Sequence, residues 1–330
     1  MRNFPIAAAL VAATFLAGCG KRAIRIDLVP VEDGLVPQVV EQDRGFFVRD
    51  EIALVEISGM ISDGKAGGLL GGGGNNPVSE LRETLNAIER DGNMKAVVLK
   101  LNTPGGTVTA SDMMYRDIMA FKQRTHLPVV VSMMDVCASG GFYVSCAGDY
   151  RIAYPTTITG SIGVIAQTIS FAGTMEKLGI TQRAITSGPN KDMLSPLKPL
   201  EKKDADLAQE FVMEFYGQFL TLVKQSHPKV AEKDWPTLTD GRVVTGMDAA
   251  KFGLVDATGD LNEAIAKAKQ MAGVTKAKLV AYKHSDDFKG SVYANSPASA
   301  PQMNLININL DGMESIPPAH PIFLYMWQGE

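Results

Sequence analysis

Apolar residues recur along this chain in two rhythms. Unbroken aliphatic runs at 52–57, 96–101 and 129–132 have the length and β-branched content of strands buried on both faces. Between the first two, Pro77 stands at a first helical position, and Val78, Leu81, Leu85 and Ile88 follow at spacings of three and four. That pattern predicts an amphipathic helix ending near Asp91 and Gly92, and a second helix is predicted over 111–124. Alternating strands and helices predict an α/β fold, with parallel strands joined by crossover helices.

The alternation continues downstream. Helices are predicted over 174–178, 201–226, 247–251 and 261–271; the longest carries Leu207, Phe211, Phe215 and Leu222 on one face. A strand is expected over 181–186, a turn-rich strand over 240–246, and a closing strand over 277–282. After Lys283 the character changes: Pro297 and Pro301 bracket small residues, 304–310 alternates polar and apolar, and an apolar run at 322–327 follows. Residues 273–330 therefore read as an extension or assembly arm.

The first residues break the soluble pattern. Arg2 precedes an apolar stretch over 4–16, then Leu16-Ala17-Gly18-Cys19. This is the order of a secretory signal, and the stretch is shorter than the roughly 20 apolar residues a span requires. Leu16 to Cys19 resembles the bacterial lipobox, which implies cleavage before Cys19 and lipid on its thiol. Two or three acyl chains on one residue would hold a domain at a membrane. The expected organisation is a signal peptide over 1–18, a lipid-anchored linker over 19–50, a catalytic domain over 51–272, and the extension. The location is the cell envelope, with the domain outside the cytoplasm on the periplasmic side.

Composition narrows the function classes. The 330 residues are 45% hydrophobic and 21% charged, enough for a full core, and the net charge of −4 comes without any run of lysine or arginine. Nucleic acid is excluded as a partner on that ground. Gly71 to Gly74 lie in a loop with no Gly-Lys-Ser/Thr after them, so the loop reads as a flexible lid or a spacer and not a phosphate cradle. No cofactor and no metal are expected. Cys137 and Cys146 read as buried free thiols.

Ser139 is a candidate nucleophile: it follows a strand and precedes Gly140-Gly141 and an apolar helical stretch. A helix start offers free N–H donors, so the amide of Gly140 suits an oxyanion. The Asn102-Thr103-Pro104-Gly105-Gly106-Thr107 loop ends a neighbouring strand; the Gly106 amide either faces the same point or only makes a turn. A base is harder to find. His126 and His227 precede Leu127-Pro128 and Pro228 and read as surface turns, and His284 and His320 fall in the extension, which disfavours a Ser-His-Asp triad. A lysine serves instead where desolvation favours its neutral form. Lys191, in a loop of small and turn-forming residues, is the best placed, though its composition equally fits an exposed loop lysine.

Three segments together, Ala138-Ser139-Gly140-Gly141-Phe142-Tyr143, Thr159-Gly160-Ser161-Ile162-Gly163-Val164 and Ser187-Gly188-x-x-Lys191-Asp192, resemble the signal peptide peptidase A (protease IV) family over about residues 52–271. The resemblance implies a Clp protease/crotonase-like fold and a serine endopeptidase that degrades signal peptides or other exported peptides. It assigns Ser139 as nucleophile, Lys191 as general base, Gly106 and Gly140 as oxyanion donors, and Ser161 as the residue orienting the lysine. With one copy of this region, the chain resembles family members that form dome-shaped octamers with serine and lysine from neighbouring subunits. The alternative is a non-catalytic envelope lipoprotein scaffold of the same fold; an acyl-CoA enzyme of the crotonase type sits badly with the export signal.

Overall fold

A computed structural model describes residues 35–45, 47–64, 76–283 and 322–327. Cys19, Gly71 to Gly74, His284 and His320 lie outside these. The described residues form a nine-stranded sheet in the order β1 (Val36–Gln42), β11 (Lys278–Lys283), β2 (Glu51–Ser58), β3 (Met94–Thr103), β5 (Val129–Ala138), β6 (Tyr150–Ala153) and β10 (Ala257–Thr258). A branch leaves β5 through β7 (Ile158–Gly160) to β9 (Val243–Thr245). Pairing is parallel except between β1 and β11 and between β7 and β9. The fold is α/β with a mostly parallel sheet, as the alternation predicts.

The central strands bury both faces, and successive side chains divide between two layers. Val97, Leu99 and Leu101 pack beneath α1 (Pro77–Arg90) and α2 (Val108–Thr125), where Leu81, Leu85, Ile88, Met114, Ile118 and Phe121 are buried. Ala96 and Val98, with Ile52, Leu54 and Val130, pack beneath α8 (Leu261–Met271) through Leu261, Ala264 and Ala268. The Asn76 side chain accepts from the amides of Val78 and Ser79 and starts α1. Asp260 and Glu263 form a capping box that starts α8.

Three features differ from the reading of the sequence. The sheet extends past the boundaries drawn at residues 51 and 272: β1 pairs antiparallel with β11, and Pro37, tolerated because β1 is an edge strand, hid it. β5 runs to Ala138 instead of 132, because it changes partners along its length: residues 130–133 pair with β6, and 136–138 pair with β7. Residues 181–186 form no strand and are exposed; no strand among the described residues receives their backbone. Among the described residues no helix is long and apolar enough to cross a membrane.

The cap of α8 gives a direct test of this architecture. Asp260 Oδ1 accepts from the Glu263 amide at 2.9 Å, and Glu263 Oε2 accepts from the Asp260 amide at 2.8 Å. Asp260→Ala is expected to lower stability by about 1 kcal/mol in urea unfolding, with the m-value unchanged.

Candidate active site

The change of partner along β5 carries its last residues beyond the main sheet and delivers Ser139 to the start of α3 (Gly140–Ser145). Ser139 has φ 52° and ψ −110°, a conformation that costs a non-glycine residue energy and persists only where its surroundings enforce it. Here the Ser139 amide donates to the Gly160 carbonyl at 2.8 Å, and its own carbonyl accepts from the Tyr143 amide at 2.8 Å. The residue is 1% exposed, and its hydroxyl makes no hydrogen bond among the described residues. Ser161 follows the Ala138–Gly160 rung on the partner strand, also with φ 52°, and its amide donates to the Arg242 carbonyl at 2.7 Å.

Glycines let the backbone close around Ser139. A Cβ on Gly140 would stand 3.1 Å from the Gly106 amide nitrogen, and one on Gly141 would stand 2.6 Å from Thr103 Cγ2. A Cβ on Gly106 would overlap the Ile61 carbonyl. Gly106 lies in β4 (Gly105–Thr107), whose one edge is used by Ile61: the Ile61 amide donates to the Gly105 carbonyl at 2.8 Å, and the Thr107 amide donates to the Ile61 carbonyl at 2.9 Å. Backbone groups alternate sides along a strand, so the Gly106 N–H points away from Ile61. Gly105 has φ 105°, a value that favours glycine, and a Cβ there would stand 2.7 Å from the Gly140 amide nitrogen. The amides of Gly106 and Gly140 thus lie close together beside Ser139.

Lys191 lies elsewhere in character. From β8 (Ile165–Gln167) to residue 200 the chain is mostly exposed: α4 (Ala172–Lys177) buries no residue, and Ile185 is 99% exposed. Lys191 is exposed, and its amine has no hydrogen bond or ion pair among the described residues. Its loop is nonetheless anchored. Lys198 Nζ lies 2.9 Å from Asp204 Oδ2, 3.1 Å from Asp192 Oδ1 and 3.8 Å from Glu201 Oε1, with the Asp204 side chain shut off from solvent at the start of α5 (Lys202–Ser226). The hydrogen bond from Lys198 is the main cause holding the Asp204 carboxyl below its ordinary range, and the same pair holds the Lys198 amine above its own. This hub was not read from the sequence; its signal was the grouping of Asp192, Glu201 and Asp204 around one lysine. A cleft of about 420 Å³ beside Ser161 is lined by Val164, Val212, Tyr216, Gly241 and Trp327 among others.

The model of peptidase family S49 matches residues 121–275, a span holding Ser139, Gly140, Ser161 and Lys191. A putative signal peptide peptidase SppA of Enterococcus faecium is 32% identical over 234 residues, covering 71% of this chain and 67% of that one. The chain belongs to peptidase family S49. Two other relatives of this S49 chain are the putative protease slr0021 of Synechocystis, 31% identical over 70% of this chain and 78% of that one, and the chloroplastic serine protease SPPA of Arabidopsis thaliana, 35% identical over 70% of this chain. The S49 chain spans about a third of the chloroplast relative's length, 34%. Among solved structures, the 1510-N membrane-bound stomatin-specific protease covers 68% of the chain and 86% of its own length, with a TM-score of 0.43 at 16% identity.

The histidines of the S49 chain bear on the choice of base. His126 caps α2 in a left-handed turn, as expected of a turn residue. His227 is a correction: it is buried, not a surface turn, because its ring stacks on Phe142 of α3 at 5.2 Å and its Nδ1 donates to the Val223 carbonyl at 2.9 Å. Neither hydrogen-bonds to Ser139. Cys137 and Cys146 are free and buried, and burial pushes both thiols up, Cys146 to about 11.

Burial, reinforced by the charge of Arg151, lowers His227 to about 4. Below the ordinary value near 6.5 the unfolded chain takes up a proton that the folded chain refuses, so stability is full above that pH and falls as the pH drops toward 4. Urea unfolding at pH 7 and pH 4.5 is expected to show a loss of about 2 to 3 kcal/mol from this residue, absent in His227→Phe.

Proposed function

We propose that the chain is a serine endopeptidase in which Ser139 is the nucleophile and Lys191, supplied by a neighbouring copy of the chain, is the general base. The observation that carries this reading is the convergence of the Gly106 and Gly140 amides beside a serine held at φ 52°. Two backbone donors preorganised there would stabilise the charge that develops on an attacked carbonyl. The shared site is supported by the segment bearing Lys191: exposed apolar side chains such as Ile180 and Ile185, and an amine without a partner among the described residues, fit a surface completed by another subunit. Docking would strip water from Lys191, the condition under which a lysine acts as a base. Ser161, beside the 420 Å³ cleft, would orient the amine.

In the acylation step the Ser139 oxygen bonds to the peptide carbonyl carbon while its proton passes to Lys191 Nζ, and the carbonyl π pair becomes the oxyanion. Collapse breaks the C–N bond, and the leaving amine takes the proton from Lys191. Water then attacks the ester and gives a proton to Lys191; the ester C–O bond breaks, Ser139 recovers its proton from Lys191, and the carboxylic acid departs and releases its remaining proton to solvent. Substrates are signal peptides or other exported and membrane-associated peptides. Lipid on Cys19 would hold the domain at a membrane of the envelope, and the outer membrane is one candidate.

The protein lacking residues 1–19 is expected to hydrolyse an unstructured peptide, with Ser139→Ala and Lys191→Ala each lowering kcat by about 10⁴-fold or more. Undiminished cleavage by both variants removes the assignment. Dissociating and reassembling the two inactive variants together would restore about a quarter of the parental activity if each site draws on two subunits; no recovery would place the dyad within one chain.

A further inference from the structure

The turn that bears Lys191 is gripped from outside itself. Its internal bonds are short-range: the Lys191 amide donates to the Gly188 carbonyl at 3.2 Å, the Met193 amide to that of Asn190 at 3.3 Å, and the Ser195 amide to that of Asp192 at 3.1 Å. Such bonds in an exposed segment open easily and do not fix one shape alone. The first turn of α5 supplies the hold through Asp204, whose side chain is closed to solvent. Lys198 Nζ lies between Asp204 Oδ2 and Asp192 Oδ1, so the carboxylate reaches the residue next to Lys191. The same carboxylate meets the turn again at Leu194, whose backbone amide helps to keep it ionised. Leu194 is buried and takes φ 58°. One helix carboxylate therefore grips the turn one and three residues past Lys191.

Lys198 is itself held at its backbone. The Ser170 hydroxyl donates to the Lys198 carbonyl at 2.8 Å, and the Phe171 amide donates to the Pro196 carbonyl at 2.7 Å. The charged groups facing its amine are Asp192, Glu201 and Asp204, and Glu201 is shared with Lys203 at 3.2 Å. Ion pairs between exposed ends, such as Lys202 with Asp206, contribute little. The Lys198 network differs because its central carboxylate is covered, and a covered charge is costly to leave without its partner. The turn cannot leave Lys198 without exposing that cost.

We infer that Lys198, with Asp204 as its footing, is a positioning residue for the base: it fixes the turn from which Lys191 is presented to the serine of a neighbouring copy, and it acts on the reaction only through Lys191. The inference rests on the peptidase reading above and deepens it. A lysine amine stands at the end of a long flexible stem, so its placement against a hydroxyl depends on how firmly its backbone is held. A misplacement of about 1 Å costs about a hundredfold in rate.

The test uses the assembled, active protein, with each variant compared at a concentration where it sediments as the parent does. Lys198→Met keeps the length of the stem and removes the charge; it is expected to lower kcat about a hundredfold with KM changed less than about twofold. Lys198→Arg keeps the charge and is expected to recover most of that loss. Asp204→Asn, which leaves Lys198 in place, is expected to lower kcat in the same way. A double-mutant cycle then asks whether Lys198 works through the base. With the rate of fluorophosphonate labelling of Ser139 as the readout, Lys198→Met is expected to cost nothing further in the Lys191→Ala background. A kcat unmoved by Lys198→Met, equal losses in the Met and Arg variants, or additive losses in the cycle each overturn the positioning role. An inactive Lys191→Ala beside a fully active Lys198→Met counts against this inference alone. A fully active Lys191→Ala removes the base assignment, and the inference falls with it.

Discussion

The candidate site depends on how closely backbone can approach backbone at the head of the parallel sheet. β3 and β5 end side by side, and the chain leaving each must turn within the space of a side chain that is absent. Gly105, Gly106, Gly140 and Gly141 supply that space, and a methyl group on any of them would meet another backbone or a buried side chain. Ser139 has a Cβ and still adopts φ 52°, held by the Gly160 carbonyl on one side and the first turn of α3 on the other. Local strain is tolerated because the surrounding hydrogen bonds leave no alternative.

The packing beneath this point explains its rigidity. Phe142 and Tyr143, the first large side chains of α3, reach into different neighbourhoods: Phe142 against His227 at the end of α5, Tyr143 against Phe219 and Asp112. α3 is only six residues long, too short to be stable alone, and it is fixed by what its side chains touch. A nucleophile at its start is positioned by aromatic contacts made several residues away.

Much of this was legible in the sequence because it is written in local terms. The aliphatic runs marked β2 and β3, the spacing of Val78, Leu81, Leu85 and Ile88 marked α1, and the helix expected over 261–271 matches α8 residue for residue. The Ser139-Gly140-Gly141 and Gly105-Gly106 pairs were visible as turn chemistry, but that they meet could be read only from the pairing of β3 with β5. What escaped was non-local. β1 is half-exposed and carries a proline; His227 sits beside Pro228 and resembles a turn until α5 packs on α3. Residues 181–186 have strand-like composition but no partner strand among the described residues, and the strand Ile322–Met326 depends on contacts more than 150 residues distant in sequence.

The segment from β8 to residue 200 has a further consequence. Within its own chain it hides little apolar surface, and the Lys198 hub fixes its shape only at the base. If copies associate through it, as proposed, its order would come mostly from that association, and its free energy would be tied to the concentration of copies. On the shared-site reading, function is then a steep property of crowding: dilute chains are inert, and confinement to a surface by a lipid would bring them together. On that same reading the exposed residues would leave a lone chain incomplete and would keep it harmless until it reaches that surface.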